Sequence, residues 1–139
     1  MTDLWPDAET GEMISDGVVL SFEAAGAITK GKAVYLSADM KVSQCTAATQ
    51  YAIGVALKTV AQGEFCPICV RGVVKVTAGG AVTRGVQVQT DASASIIALA
   101  DGSATYTPSE LPDRVARALG VALQTFANGD TGLVYVDKA

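Results

Sequence analysis

The sequence predicts a mainly all-β protein: a compact barrel or sandwich-like body built from two related halves, preceded by an extended N-terminal arm. Three observations lead there. Ala27-Ile28-Thr29-Lys30-Gly31-Lys32-Ala33-Val34 returns 54 positions later as Ala81-Val82-Thr83-Arg84-Gly85-Val86-Gln87-Val88. Ile53-Gly54-Val55-Ala56-Leu57-Lys58-Thr59-Val60-Ala61-Gln62-Gly63-Glu64 returns 66 positions later as Leu119-Gly120-Val121-Ala122-Leu123-Gln124-Thr125-Phe126-Ala127-Asn128-Gly129-Asp130. Between and around these blocks lie short apolar runs, rich in β-branched residues and broken at glycine, which is the pattern of strands joined by tight turns. The two offsets differ by 12, so the second half carries a 12-residue insertion.

The elements follow in chain order. Residues 1–16 are acidic and aperiodic and read as the arm. Val18 to Ala24 is a first strand. Ala33 to Leu36 and Lys41 to Ser43 flank the polar turn Ser37-Ala38-Asp39. Ala47 to Tyr51 is too short to decide between strand and short helix. Ile53 to Val60 is a longer apolar run, and Phe65 to Val70 and Val73 to Thr77 are two more strands. Gly79-Gly80 breaks the chain and opens the second copy. Val86 to Thr90 alternates apolar and polar, as a half-buried strand does. Ile96 to Leu99, Val115 to Leu123 and Leu133 to Val136 complete the set. Asp113 to Leu119, behind Pro112, is the best helix candidate and spans about two turns. The insertion falls within Ala100 to Pro112, whose Ser, Thr, Asp and Pro suit a surface loop. This divides the chain into an arm at 1–16 and one domain at 17–139, with repeats at about 27–72 and 81–137.

Half of the 139 residues are hydrophobic and 17% are charged, enough apolar material for one buried core and too little charge for a disordered chain. No apolar run approaches the roughly 20 residues that cross a bilayer, so no membrane is expected. The acidic start, Met1 to Asp7, lacks the basic flank of a secretory signal, and a protein made and kept in a cytoplasm, or assembled there into something larger, is expected. Of the net charge of −4, the arm supplies five acids (Asp3, Asp7, Glu9, Glu12, Asp16) and no base. The remainder holds nine acids and ten scattered bases, a net of +1, without the basic stripe that nucleic acid requires.

Chemistry-bearing constellations are few. Cys66-Pro67-Ile68-Cys69 has redox or half-zinc spacing, but the chain has no histidine and only one further cysteine, Cys45. The repeat aligns this tetrad with Gly132-Leu133-Val134-Tyr135, inside an evident strand, where positions three apart face opposite sides. The cysteines therefore read as small buried hydrophobes. The paired block-end glycines match no phosphate-cradling motif and read as turns. Glu64 and Asp130 are equivalent and read as solvated turn acids. Without histidine, a Ser-His or Cys-His nucleophile is excluded. No enzyme activity, cofactor or metal is expected. The remaining candidate is Leu4-Trp5-Pro6, whose tryptophan is the only one in the chain and a typical anchor for a partner.

Ile28 to Val34, Ile53-Gly54-Val55-Ala56, Gly72 to Val76, and Arg117 to Leu123 followed by Asn128-Gly129-Asp130, in this order and spacing, resemble the capsid decoration (cement) protein family of tailed phages. The resemblance covers residues 17–137. It implies a small β-rich body, a homotrimer at three-fold positions on the outside of an icosahedral shell, and the major capsid protein as partner. A protein that binds the assembled shell and not its free subunits stabilises the shell by mass action. The arm would extend that reach through Leu4, Trp5 and Pro6. A carbohydrate- or surface-binding β module on a virion is the alternative, and an exposed aromatic platform would favour it.

Overall fold

A computed structural model describes residues 10–14, 17–99 and 116–138. Nine strands form one continuous sheet: β1 (Val18–Ala24), β2 (Ala33–Ala38), β3 (Lys41–Gln44), β4 (Ala52–Ala56), β5 (Phe65–Thr77), β6 (Gln87–Thr90), β7 (Ile96–Ala98), β8 (Gly120–Ala122) and β9 (Thr131–Asp137). The sheet order is β1-β3-β2-β4-β5-β9-β8-β6-β7, and β1 also pairs with β5. That extra pairing closes β1, β3, β2, β4 and β5 into a five-stranded barrel, so its first strand has no open side along the β5 pairing.

The remaining strands repeat the ring. Shifting by 54 carries β1 onto the C-terminal half of β5, β2 onto β6 and β3 onto β7. Shifting by 66 carries β4 onto β8 and the N-terminal half of β5 onto β9. The registers obey the same shifts: Phe22↔Cys66 becomes Val76↔Gly132, and Val34↔Gly54 becomes Val88↔Gly120. The parallel pairing Ala24↔Val42 becomes the isolated parallel bridge Ala78↔Ile96, which returns β7 to the end of β5. Turn bonds repeat as well. Gly31 N–H donates to Ala56 O and Gly85 N–H to Ala122 O, each at 2.8 Å. Lys30 N–H meets Thr59 Oγ1 at 3.0 Å and Arg84 N–H meets Thr125 Oγ1 at 3.1 Å. The second copy of this pattern begins at Gly72, ahead of Gly79-Gly80, and β5 is a wall of both rings.

One ring encloses Phe22, Ala24, Ile28, Val34, Val42, Ala56, Val60, Cys66, Ile68 and Val70. The shifted positions fill the other: Val76, Ala78, Val82, Val88, Ile96, Ala122, Phe126, Val134 and Val136, with Gly132 in place of Cys66. The exception is a size exchange. Where barrel 1 has Val60 and Cys66, barrel 2 has Phe126 and Gly132, and a Cβ on Gly132 would meet the Phe126 ring. Gly54 and Gly120 solve a different problem, since a Cβ there would run into the carbonyl oxygens of Cys69 and Tyr135. Only glycine lets β4 and β8 approach their neighbours this closely.

Several boundaries differ from those expected. Phe65 to Val70 and Val73 to Thr77 are one strand, not two, because Gly72 passes the intervening corner at φ 138 without ending the ladder. The run from Ile53 stops pairing at Ala56, and its remainder forms the turn closed by Val60 against Ile28. Of Val115 to Leu123, only Gly120–Ala122 is strand. Ala47 to Tyr51 is a turn, held by Gln50 Oε1 accepting from Thr46 N–H at 2.7 Å and Ala47 N–H at 3.2 Å. Of the expected helix, Ala116 and Arg117 are helical, Ala118 and Leu119 are not, and Asp113 to Val115 lie outside the described residues, as does the insertion at Ala100 to Pro112.

Candidate binding surface

The head of the chain is the first place where the rings are joined. Gly11 N–H donates to Lys75 O at 2.6 Å, Lys75 N–H to Glu12 O at 3.1 Å, and Ile14 N–H to Val73 O at 2.8 Å. Met13 pairs with Val74 and packs on the larger core. Gly11 lies so close to Gly31 that neither tolerates a side chain. Leu4, Trp5 and Pro6 lie outside the described residues.

The second junction is the seam between the barrels. Ala33, Cys45, Ala52, Val55 and Cys69, on the outer face of barrel 1, share a buried cluster with Val74 and Ala94 of barrel 2. The β6–β7 turn supplies the polar contacts. Ala33 N–H donates to Ala94 O at 3.0 Å, Lys32 Nζ to Ser95 Oγ at 3.2 Å, and Gln89 Nε2 to Ala48 O at 3.2 Å. Asp91 Oδ1 shapes that turn by accepting from Ser93 and Ser95 N–H at 2.8 and 2.9 Å. Ala94 takes the left-handed backbone at φ 60 that presents its carbonyl.

Two surfaces equivalent to the sides of this seam lie open. On barrel 1, Leu20 of β1 is exposed, as are Leu36 (49%) and Met40 (69%) around the β2–β3 turn. Their counterparts in barrel 2 are covered: Val74 for Leu20, Thr90 for Leu36 and Ala94 for Met40 are all fully buried. The turns share one backbone, since Met40 has φ 58. On barrel 2, Val86 (37%) and Leu123 (46%) are exposed where barrel 1 has Lys32 and the partly buried Leu57. Glu23 and Lys41 form an ion pair at 3.3 Å beside the barrel 1 turn. Sequence reasoning passed over these surfaces. The signal was available in carrying the 54-residue offset past Val34, which sets apolar Leu36 and Met40 against Thr90 and Ala94.

The cysteines and turn acids singled out in the sequence form no joint site with these surfaces. Cys66 sits inside barrel 1 and Cys69 in the seam cluster, on opposite faces of β5. All three thiols are free and buried. Burial pushes Cys45 and Cys69 from 9.0 up to about 11 and raises Cys66 too, so none is a thiolate near neutral pH. Glu64 Oε1 accepts from Ala61 N–H at 2.7 Å within its turn. Asp130 precedes Thr131, which pairs with Thr77 at the far end of β5 from Phe65, so the two acids do not meet. No cluster of three or more His, Cys, Asp or Glu is placed to hold a metal among the described residues, and no helix there is long and apolar enough to cross a membrane.

Comparison with known proteins agrees with this arrangement. Residues 5–61 and residues 47–137 each match the family model described as phage cement protein. The fold resembles the crystal structure of the head fiber gp8.5 N base of bacteriophage phi29, with a TM-score of 0.59 and 16% identity, over 88% of this chain and 95% of that one. That likeness concerns the fold alone. No curated protein sequence matches the chain.

Proposed function

The chain belongs to the phage cement protein family, a family of structural virion proteins, and on that premise we propose that it binds the outer surface of an assembled phage head and stabilises it. The observation that carries this reading is the double match to the family along almost the whole chain. The partner is the major capsid protein. The protein is made in the host cytoplasm and acts as a homotrimer on the capsid exterior, so each weak contact is made three times over and avidity holds the complex. Binding only the assembled shell shifts the assembly equilibrium without any chemical step.

Leu4, Trp5 and Pro6 are the proposed anchor of the arm on that partner. Because Gly11 to Ile14 are integral to the body, the informative truncation removes residues 1–9 and spares the pairing with β5. Purified chain added to heads that lack it should raise their resistance to heat. The truncated chain should fold normally and bind the heads at least about tenfold more weakly, the size of one lost anchor residue. Heads that gain no resistance from the full chain would sink the capsid reading, and truncated chain that binds as well as full chain would sink the role of the arm.

A further inference from the structure

The unequal covering of the two barrels has a simple geometric resolution. Inside one chain, the leading turn of barrel 2 rests on the outer face of barrel 1, with Ala94 O accepting from Ala33 N–H at 3.0 Å. Barrel 1 has the same leading turn, and barrel 2 has the same outer face, but neither is occupied by the described residues of the chain. The position equivalent to Ala33 is Gln87. Its carbonyl accepts from Leu99 N–H at 2.8 Å, as that of Ala33 accepts from Cys45 N–H at 3.0 Å. The N–H of Gln87 has no partner among the described residues, whereas that of Ala33 is satisfied by the turn of the other barrel. Met40 O, the equivalent of Ala94 O, likewise has no partner among the described residues.

We propose that the chain associates with a second copy of itself head to tail, the β2–β3 turn of one molecule docking on the outer face of barrel 2 of the next and reproducing between chains the seam that joins the barrels within one. Met40 O would accept from Gln87 N–H of the neighbouring copy. Leu36 and Met40 would cover Leu123 and Val86, which are otherwise exposed apolar side chains. Of the nine large exposed hydrophobic residues among those described, five fall on these two surfaces: Leu20, Leu36 and Met40 on one, and Val86 and Leu123 on the other. Scattered singly they would need no explanation, but sorted onto two complementary faces they mark an interface. A contact between unlike faces makes either an open filament or a closed ring. Three chains closing on themselves set six barrels around one ring, each resting on the next through the same seam. This specifies the interface of the trimer proposed above and rests on that reading.

Met40→Asp and Leu123→Glu each place a charge on one of the two faces, at positions whose exposure spares the fold. Sedimentation of shell-free protein over a concentration series is expected to show a trimer for the wild type. Each variant is expected to weaken association by about 100-fold or more with an unchanged melting profile, as burial of an unpaired charge at a contact demands. An equimolar mixture of the two variants is the decisive sample. One intact turn then meets one intact face, and a one-to-one pair should form although neither variant associates alone. A wild type that stays monomeric at millimolar concentration, variants that associate like the wild type, or a mixture no better than its components would each overturn the interface. None of these results depends on shells, so they leave the capsid reading to its own test.

Discussion

Barrel 1 and barrel 2 have nearly the same interior and opposite exteriors. Ten enclosed positions correspond one to one, and the strand registers and turn bonds repeat with them. The outer face that barrel 1 buries in the seam through Ala33, Cys45 and Cys69 is occupied in barrel 2 by Gln87, Leu99 and Tyr135, of which none is fully buried. The leading edge that barrel 2 buries through Val74, Thr90 and Ala94 is exposed in barrel 1 as Leu20, Leu36 and Met40. The interior is set by ring closure, which demands a fixed set of inward volumes. The exterior is set by what each copy meets, and that differs for the first and last member of any row.

The largest expected effect tests whether the interiors are equivalent. Gly54→Ala and Gly120→Ala drive a methyl group into a neighbouring carbonyl oxygen in matching places. Each should cost about 3 kcal/mol or more, and by similar amounts, in denaturant titration. A large cost at one site alone would mean that the two strand crossings are not the same structure.

A smaller effect tests where the interiors part company. Phe126→Val should cost about 2 kcal/mol through the space left beside Gly132. Adding Gly132→Cys restores the pair that barrel 1 uses at Val60 and Cys66, and should recover most of that loss. If the two changes simply add, the size exchange is not a packing partnership.

A last effect separates the barrels by pH, because all three cysteines belong to barrel 1 or its seam. Cys45 and Cys69 stand at about 11 when folded, above the 9.0 of an exposed thiol. Their contribution is complete below pH 9 and is lost as pH rises to about 11, because only the unfolded chain ionises in that window. The double change of Cys45 and Cys69 to Ala should flatten the alkaline limb. A slope unchanged by it would assign the loss to other groups.

Much of this was legible in the sequence, for definite reasons. Val82, Val88 and Phe126 repeat Ile28, Val34 and Val60 because enclosed positions permit few residue types. Gly54 and Gly120 stood out because no other residue fits there. The strand content followed from β-branched runs. The beginning of the second copy did not, since Val18 to Ala24 and Gly72 to Ala78 share only Val19/Val73 and Ala24/Ala78. The first is a wall of one barrel only, and the second is buried between two barrels, so their surroundings demand different residues. Arg71-Gly72 looked like a break because glycine usually ends a run, whereas here it turns a corner within a ladder. The open surfaces were hidden for the opposite reason. Met40 and Leu123 resemble core residues in composition, and only their equivalents show that they belong to no core among the described residues.

One strand of thirteen residues is the common stave of both barrels. No linker separates the halves, so neither can be cut away intact, and a protease has no hinge to find between them. A pull on the wall of one barrel passes directly into the wall of the other as shear along a row of hydrogen bonds, all strained together rather than opened one by one. The molecule should therefore yield as a single piece, late and abruptly, under load.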